Sequence, residues 1–287
     1  MTGLLETVEP GEDGLVVQRS RHWGYNALGV VSAGEAVAVD PGLTPDELSA
    51  FRAELERGGR RVVAVVLTHS HHDHIRGWRA FGDARVIAPR VVADKPEDAR
   101  TRIIAAKRKF DQRGGIEDDG FTYPTVDETF DERGGVRVGA LELELEFLPG
   151  HSNCTSVVVV PALRAILTAD YLVRPGLPYC RWEALPFEAA HERLLELCEE
   201  HGLERALPAH NALIEGRAQI ESAVRTELDY FRDLRAEIER RVTAGENADR
   251  LVRDVTHWLT ERRGEDLGLV ARQDADNARR VLAETAR

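Results

Sequence analysis

The sequence has few cysteines, no long apolar run and no signal-peptide pattern, and each absence excludes a class of protein. The cysteines Cys154, Cys180 and Cys198 are odd in number and form no CxxC pair, so we expect reduced thiols rather than a disulfide framework. No apolar run reaches the roughly 18 residues of a transmembrane helix. The acidic segment from Met1 to Gly14 lacks the hydrophobic stretch of a signal peptide. We therefore expect a cytoplasmic protein without a membrane partner.

Positive charge is also scarce, since the formal net charge is -12. A protein that binds nucleic acid must neutralise phosphates with clustered Lys and Arg, so we expect a small-molecule substrate and no nucleic-acid partner. One segment is an exception, because seven positive and three negative residues lie between Lys95 and Arg113. This basic segment is interpreted either as a solvated helix face, which we favour, or as a lid that attracts an anionic substrate group.

The segment Thr68–His74 reads THSHHDH and holds five side chains that bind metals. It follows the apolar, β-branched run 61–67, which predicts a buried strand with the histidines on the loop at its end. Neighbouring residues of an extended segment point to opposite sides, so His69 and His71 can share one metal while Asp73 and His74 turn towards a second. The alternative is a solvated histidine-rich turn, and further donors at other strand ends would argue against it.

Three such donors follow downstream. The alternating strand 141–147 runs into a Pro-Gly turn that presents His151, and the apolar strand 165–169 ends at Asp170, a carboxylate that can bridge two cations. The short buried run 203–208 leads to His210. Each position alone is more often a turn or capping residue. Together with the motif, they place metal donors after four different predicted strands, which predicts a metal site.

The ordered set of donors resembles the metallo-β-lactamase-fold superfamily over roughly residues 14 to 215. The similarity rests on the HxHxDH signature and on the three later donors, and Asp40 resembles an early aspartate that supports the site without binding metal. The resemblance implies an α/β fold, a four-layer αββα sandwich, and two divalent ions, with zinc expected first and iron or manganese as alternatives. It implies that His69, His71 and His151 hold one ion, that Asp73, His74 and His210 hold the other, and that Asp170 touches both.

The same resemblance implies an enzyme, a binuclear metal-dependent hydrolase that attacks an ester-like bond with a metal-bridging hydroxide. Asp73 and Asp170 are then the catalytic residues. The bridging aspartate resembles the thioesterase and lactonase branches, including glyoxalase II, which makes a thioester or lactone the first expectation. Phosphodiester or β-lactam hydrolysis, an iron-dependent oxygenase, and a cyclase-like or non-hydrolytic role remain alternatives. No tyrosine stands where the lactonases place theirs, and no counterpart of the glutathione-binding residues is found.

The pattern of the chain predicts two regions, a catalytic domain over 1–214 and a helical extension over 215–287. Strands are expected over 14–19, 26–32 and 35–40, followed by a capping-box helix from Pro45 to about Arg57 and a basic helix over 97–112. In the extension, apolar residues recur at spacings of three and four, which predicts packing on the main domain, with homodimer contact as a second expectation. The last helix is expected over about 274–285. The residues of this apolar stripe include Leu228, Phe231, Leu234, Ile238 and Val242.

Several residues near the predicted site need separate interpretations. The irregular segment 171–182 follows Asp170, and we expect one of Tyr171, Tyr179 and Trp182 to contact the pocket. His72 falls at the variable position of the motif and is not expected to bind metal. Cys154 lies three residues after His151, near the pocket, and we do not expect it to be catalytic.

Overall fold

Two β-sheets form the centre of the protein in the computed structural model, which describes residues 5–8, 13–22, 24–117, 119–173, 177–263 and 271–285. The first sheet has seven strands in sequence order, antiparallel from the first to the fourth strand and parallel from the fourth to the seventh. Its strands are β1 (Leu5–Val8), β2 (Gly14–Arg19), β3 (Asn26–Ser32), β4 (Glu35–Val39), β5 (Arg61–Val66), β6 (Arg85–Pro89) and β7 (Glu128–Phe130).

The second sheet has six strands. They are β8 (Arg133–Val138), β9 (Leu141–Phe147), β10 (Ser156–Val160), β11 (Ala165–Ala169), β12 (Arg205–Pro208) and β13 (Ile214–Glu215). The strands lie in the order β13-β12-β11-β10-β9-β8, and the β11–β12 pair alone in this sheet is parallel. Parallel pairing needs a crossover connection, which a long helix between β11 and β12 provides.

The described part of the chain forms eight α-helices. They are α1 (Pro45–Leu55), α2 (His72–Ile75), α3 (Arg90–Ala93), α4 (Glu97–Gly114), α5 (Ala184–Glu200), α6 (Arg217–Thr243), α7 (Ala248–Arg263) and α8 (Ala271–Thr285). Two short 3₁₀ helices cover Arg57–Gly59 and Pro161–Leu163. No helix of the described residues combines the length and the apolar composition that crossing a membrane requires.

Three apolar clusters lie between the layers of the protein. The first lies between the sheets, where alternating residues of β9 such as Leu143 and Leu145 meet Val37 and Val66 of the first sheet. The second cluster packs α1 and the Ile103 face of α4 on the outer side of the first sheet. The third packs α5 to α8 on the outer side of the second sheet. Because each sheet is covered on both faces, the architecture is the predicted four-layer αββα sandwich.

The local predictions agree closely with this fold. The strands over 14–19 and 26–32 are found as predicted, and Thr44 and Glu47 form the capping box that starts α1. The basic helix is two residues longer than expected because Gly115 ends it in a left-handed conformation, which glycine adopts without strain. The apolar stripe of α6 is buried up to Ile238, but Val242 is 40% exposed, so the stripe extends about one turn beyond the packed face.

The C-terminal helices pack on the second sheet, as the apolar stripes predict. Phe231 of α6, Leu251 of α7 and Val281 of α8 share one buried cluster with Val157 and Ile166 of the sheet. A helix face that removes such side chains from water gains about 25 cal/mol per Å² of apolar surface. The division of the chain at residue 214 stays a prediction, as does the homodimer contact.

Candidate metal centre

Four strand ends carry the predicted metal donors. His69 and His71 follow β5, and His151, Asp170 and His210 follow β9, β11 and β12. One local feature differs from the sequence prediction, because the motif does not stay a loop. It turns into the single-turn helix α2, which begins after His71 and carries the donors Asp73 and His74. The structure brings all seven predicted donors to one place.

The first group of donors consists of His69, His71, His151 and Asp170, whose ligand atoms all lie within 4.8 Å of one another. His71 Nδ1 is 2.9 Å from His69 Nε2 and 3.1 Å from His151 Nε2. The imidazoles of His69 and His151 also face the aspartate, since Asp170 Oδ2 lies 3.1 Å from His151 Nε2 and 3.8 Å from His69 Nε2. Three imidazoles and one carboxylate oxygen therefore converge on one point.

The second group consists of Asp73, His74 and His210, again with ligand atoms within 4.8 Å of one another. Asp73 Oδ2 is 3.4 Å from His210 Nε2. The other oxygen of Asp170 faces this group, because Oδ1 lies 3.1 Å from His74 Nε2 and 3.5 Å from His210 Nε2. Asp170 thus stands between the two groups and turns one carboxylate oxygen towards each.

The donor atoms have the features of a metal site. His74 Nε2 and Asp170 Oδ1 are buried and have no hydrogen-bond partner, although they lie 3.1 Å apart. An unpaired buried polar atom costs about 1–3 kcal/mol, so two such atoms facing each other indicate a ligand between them. Imidazole and carboxylate are donors that zinc, iron and manganese accept. The residues present therefore fit divalent metal ions.

Burial and neighbouring charges set the protonation of the first group. Burial, followed by the positive charge of His74, lowers the pKa of His69 well below its ordinary value. Burial and the charges of His151 and Arg181 do the same to the pKa of His71. Burial by itself raises the pKa of Asp170, but the positive charges of His74 and His151 outweigh it and hold that pKa well below its usual range. Neutral imidazoles of His69 and His71 beside an ionised Asp170 are protonation states that bind metal.

The second group attracts positive charge. Burial lowers the pKa of His74, but the carboxylates of Asp170 and Asp40 outweigh burial and raise this pKa well above its ordinary value. The pKa of His210 is raised in the same way, with burial opposed by Asp170 and Asp73. A divalent cation that binds here therefore displaces protons.

Asp40 orients one donor of the second group. Its Oδ2 lies 2.8 Å from His74 Nδ1, and its Oδ1 accepts a 2.7 Å hydrogen bond from the backbone N–H of Thr68. Tyr25 donates its hydroxyl hydrogen to the backbone carbonyl of Asp40. Because Nδ1 of His74 is engaged by Asp40, its Nε2 points towards Asp170. The sequence predicted this supporting role, and the geometry agrees with it.

We expect Asp40→Ala to weaken metal binding by about 10–100-fold, because outer partners of metal-binding histidines have effects of this size. The measurement is a competition between the protein and a chromophoric chelator for zinc. Asp131→Ala is the matched control, since Asp131 is an exposed carboxylate that pairs with Arg90 on the surface. Equal zinc affinity of the wild type and the Asp40 variant would show that the aspartate does not orient the donor.

His151 is held by two hydrogen bonds from different segments. Its Nδ1 lies 2.7 Å from the backbone carbonyl of Tyr179, which directs Nε2 towards Asp170. Its backbone N–H donates to the hydroxyl of Tyr171 over 3.1 Å, and that hydroxyl donates to the carbonyl of Leu148 over 2.7 Å. Tyr171 is fully buried and is a structural residue rather than a pocket wall. Tyr179 and Trp182 both line the cleft, so two residues of the predicted three contact it, not one.

Two positioning residues have no signal in the sequence. Asn277 of α8 donates to the carbonyl of Pro178 over 2.7 Å and accepts from the N–H of Cys180 over 3.2 Å, so it fixes the residues on either side of Tyr179. Asn26 of β3 donates to the carbonyl of Pro208 over 3.0 Å and is fully buried beside the end of β12. Both contacts join positions about a hundred or more residues apart, which a local pattern cannot reveal.

Backbone strain is concentrated near the donors. Six described residues other than glycine have positive φ, and four of them lie at these strand ends: Asp40, Ala169, Leu172 and Asn211. Residues with a Cβ rarely adopt this conformation, and it clusters at functional sites. The strained positions turn the chain sharply, so that the side chains at the strand ends point inward.

A cleft of about 990 Å³ opens over the donors. Its walls come from α4, from the segment after His151 and from the segment 177–182. Cys154 lines it but is buried, with Sγ 3.3 Å from Ser70 Oγ and 3.4 Å from Ser152 Oγ. His72 also lines the cleft but belongs to neither donor group, as expected for a residue that does not bind metal, and its ring lies 5.3 Å from that of Phe110.

The basic segment divides into three environments. Lys107 is fully buried, where its Nζ lies 2.7 Å from Asp111, so the solvated-face interpretation is wrong for this residue. Arg108 is exposed and lies outside the cleft, as that interpretation predicts. Arg102, Lys109 and Arg113 line the cleft. A part of the segment therefore faces whatever molecule occupies the cleft.

Comparison with known proteins agrees with this geometry. A family model described as the metallo-beta-lactamase superfamily matches residues 23–237. The linear primary-alkylsulfatase of Pseudomonas sp. (strain ATCC 19151) is 20% identical over 250 residues, which cover 76% of this chain and 47% of that protein. The matched family region contains every predicted donor.

Solved structures share the fold. The stereoselective inverting sec-alkylsulfatase from Pseudomonas sp. superposes with a TM-score of 0.70 at 18% identity, covering 98% of this chain and 50% of its own. A metallo-beta-lactamase from Pontibacter korlensis superposes with a TM-score of 0.57 at 19% identity, covering 79% of this chain and 99% of its own. The chain spans about half the length of the alkylsulfatases that it matches.

Proposed function

Since the chain belongs to the metallo-beta-lactamase superfamily, we propose that it is a binuclear metal-dependent hydrolase that cleaves an ester-like bond in a small molecule. The observation that carries the proposal is the position of Asp170. Its Oδ2 faces His151 at 3.1 Å and its Oδ1 faces His74 at 3.1 Å, so one carboxylate serves two donor groups. A site for a single ion would not need a carboxylate that turns one oxygen towards each of two donor groups.

Each donor group would hold one ion. The ions, when bound, would supply a hydroxide nucleophile at neutral pH and would polarise the oxygen under attack. The protein provides fixed positions for this chemistry, because Asp40 and the carbonyl of Tyr179 hold the rings of His74 and His151. Catalysis in this proposal needs no nucleophilic side chain. The ligands would be His69, His71 and His151 for one ion, Asp73, His74 and His210 for the other, and Asp170 for both.

A thioester or lactone is our first candidate for the substrate, on the resemblance of the donor set. A sulfate ester is the second candidate, and a specific observation favours it. The cleft is lined by five cationic side chains, Lys95, Arg102, Lys109, Arg113 and Arg181, whereas its acidic lining residues are the donors Asp73 and Asp170. An excess of positive charge attracts anionic substrates. The alkylsulfatases that resemble this chain are hydrolases named for such an ester.

The experiment that tests the function joins elemental analysis to a substrate panel. We expect about two equivalents of zinc per chain, and turnover of a thioester, a lactone or an alkyl sulfate that stops after chelation and returns with zinc. Phosphodiesters and β-lactams complete the panel. Bound iron with oxygen consumption would favour the oxygenase alternative. Full metal loading without turnover of any ester would contradict the hydrolase proposal.

A further inference from the structure

One face of α4 forms a wall of the cleft. The residues of this helix that line the cleft recur at spacings of one and three, as one face of a helix requires. Cationic and apolar side chains alternate along the face, so it offers both charge and apolar contact. The face consists of Ala99, Arg102, Ile103, Ala106, Lys109, Phe110 and Arg113.

The C-terminal half of this face lies beside the metal donors. The ring of Phe110 packs 5.3 Å from that of His72, which immediately precedes the donor Asp73 on α2. Lys109 is next to Phe110 in the chain, and Arg113 is on the next turn of the same face. Both cations therefore line the cleft on the part of α4 that lies beside α2.

A buried charge network fixes the orientation of α4. Arg76, at the end of α2, donates to Asp111 over 2.8 Å, and the opposite oxygen of Asp111 lies 2.7 Å from Lys107 Nζ. All three side chains are at most 4% exposed. Because α4 is tied through buried charges to the helix that carries the donors, its cleft face stands at a set position relative to them.

Lys109 and Arg113 differ from two other cations of α4, Arg102 and Lys107. Arg102 is paired with Asp98 at 2.6 Å, and Lys107 is paired with Asp111. Among the described residues, no carboxylate lies within 4.0 Å of Lys109 or Arg113. Two unpaired cations on an apolar wall, in a chain with a net charge of -12, are suited to an anionic ligand.

We propose that Lys109 and Arg113 form a subsite for an oxyanion group of the substrate that is separate from the bond that is cleaved, with Phe110 of the same face contacting an apolar part of the substrate. The proposal rests on the proposed function, because it assigns a substrate-binding role to one wall of the same cleft. It names the substrate class as an ester with an apolar chain and a remote carboxylate or sulfate. This arrangement would place the ester at the donors while the anionic end is held by α4.

The test measures binding rather than turnover. Calorimetric titration of the zinc-loaded protein with octanoate is compared with octanamide, its neutral counterpart. We expect Lys109→Glu and Arg113→Glu each to weaken octanoate binding about tenfold, as loss of a charge-assisted contact implies, without changing octanamide binding. Arg108→Glu is the matched control, since it makes the same change of charge on the adjacent exposed residue outside the cleft.

Each outcome decides the proposal. Octanoate binding that is lost in both cleft variants and kept in the control supports the subsite, and repetition with octyl sulfate identifies the preferred oxyanion. Equal affinity of all variants would show that the anion is held by the metal ions alone, and equal loss in the control would indicate a general charge effect. Either result, or absence of binding to the wild type, overturns the subsite. A subsite that binds as expected in a protein that hydrolyses no ester would contradict the proposed function only.

Discussion

Asp170→Ala is expected to remove hydrolytic activity, by about a thousandfold or more, and to lower the bound metal from two ions per chain to one or fewer. The physical reason is that both carboxylate oxygens are used, Oδ2 towards His151 and Oδ1 towards His74. Loss of the shared ligand removes several kcal/mol of stabilisation from the reacting charge, and each 1.4 kcal/mol corresponds to about tenfold in rate. Steady-state kinetics and elemental analysis on the same preparation measure both effects.

Cys154→Ala is the matched control for this variant. Cys154 lines the same cleft and is buried, but its Sγ contacts Ser70 and Ser152 and neither donor group contains it. We expect the cysteine variant to keep its metal content and activity. Normal turnover by the Asp170 variant would contradict a shared ligand, whatever the control shows.

Gly42→Ala is expected to have the largest effect on stability. A Cβ on Gly42 would stand 1.3 Å from the backbone carbonyl oxygen of Asp73 and 3.0 Å from the backbone nitrogen of His74. These are main-chain atoms of α2, so no side-chain rotation can relieve the overlap. We expect a loss of at least about 3 kcal/mol in the free energy of unfolding and a fall in Tm on the order of 10 °C. Displacement of α2 should also weaken metal binding.

Thermal unfolding and zinc titration measure the two consequences, and Gly135→Ala is the control. A Cβ at Gly135 would meet its nearest atom, the carbonyl oxygen of Leu143, at an ordinary 3.6 Å. The control should therefore retain its Tm to within a few degrees and its full metal content. An unchanged Tm and zinc affinity in the Gly42 variant would mean that α2 does not lie against the Asp40–Gly42 turn.

The fold and the donor positions were predictable because their signals are local. Buried strands have continuous or alternating apolar residues, and the donors follow within a few residues of such runs, as His151 does after β9 and Asp170 after β11. Family membership confirms the predicted superfamily, whereas the metal-dependent hydrolase activity stays a proposal. The thioesterase or lactonase branch, zinc as the metal and a cytoplasmic location remain predictions.

What the sequence could not reveal depends on contacts between distant segments. The periodicity of α4 separates its faces, but only the packing of Phe110 on His72 shows which face meets the cleft. Lys107 could not be distinguished from its neighbour Arg108, although the structure buries the first and exposes the second. Asn277 orients the Tyr179 segment from about a hundred residues away.

Crystals of the protein grown with zinc would test the central claim most directly, through anomalous diffraction recorded above and below the zinc absorption edge. We expect two anomalous peaks, one among His69, His71 and His151 and the other among Asp73, His74 and His210, with Asp170 contacting both. A single peak, or two peaks with Asp170 contacting neither, would contradict the shared-carboxylate site.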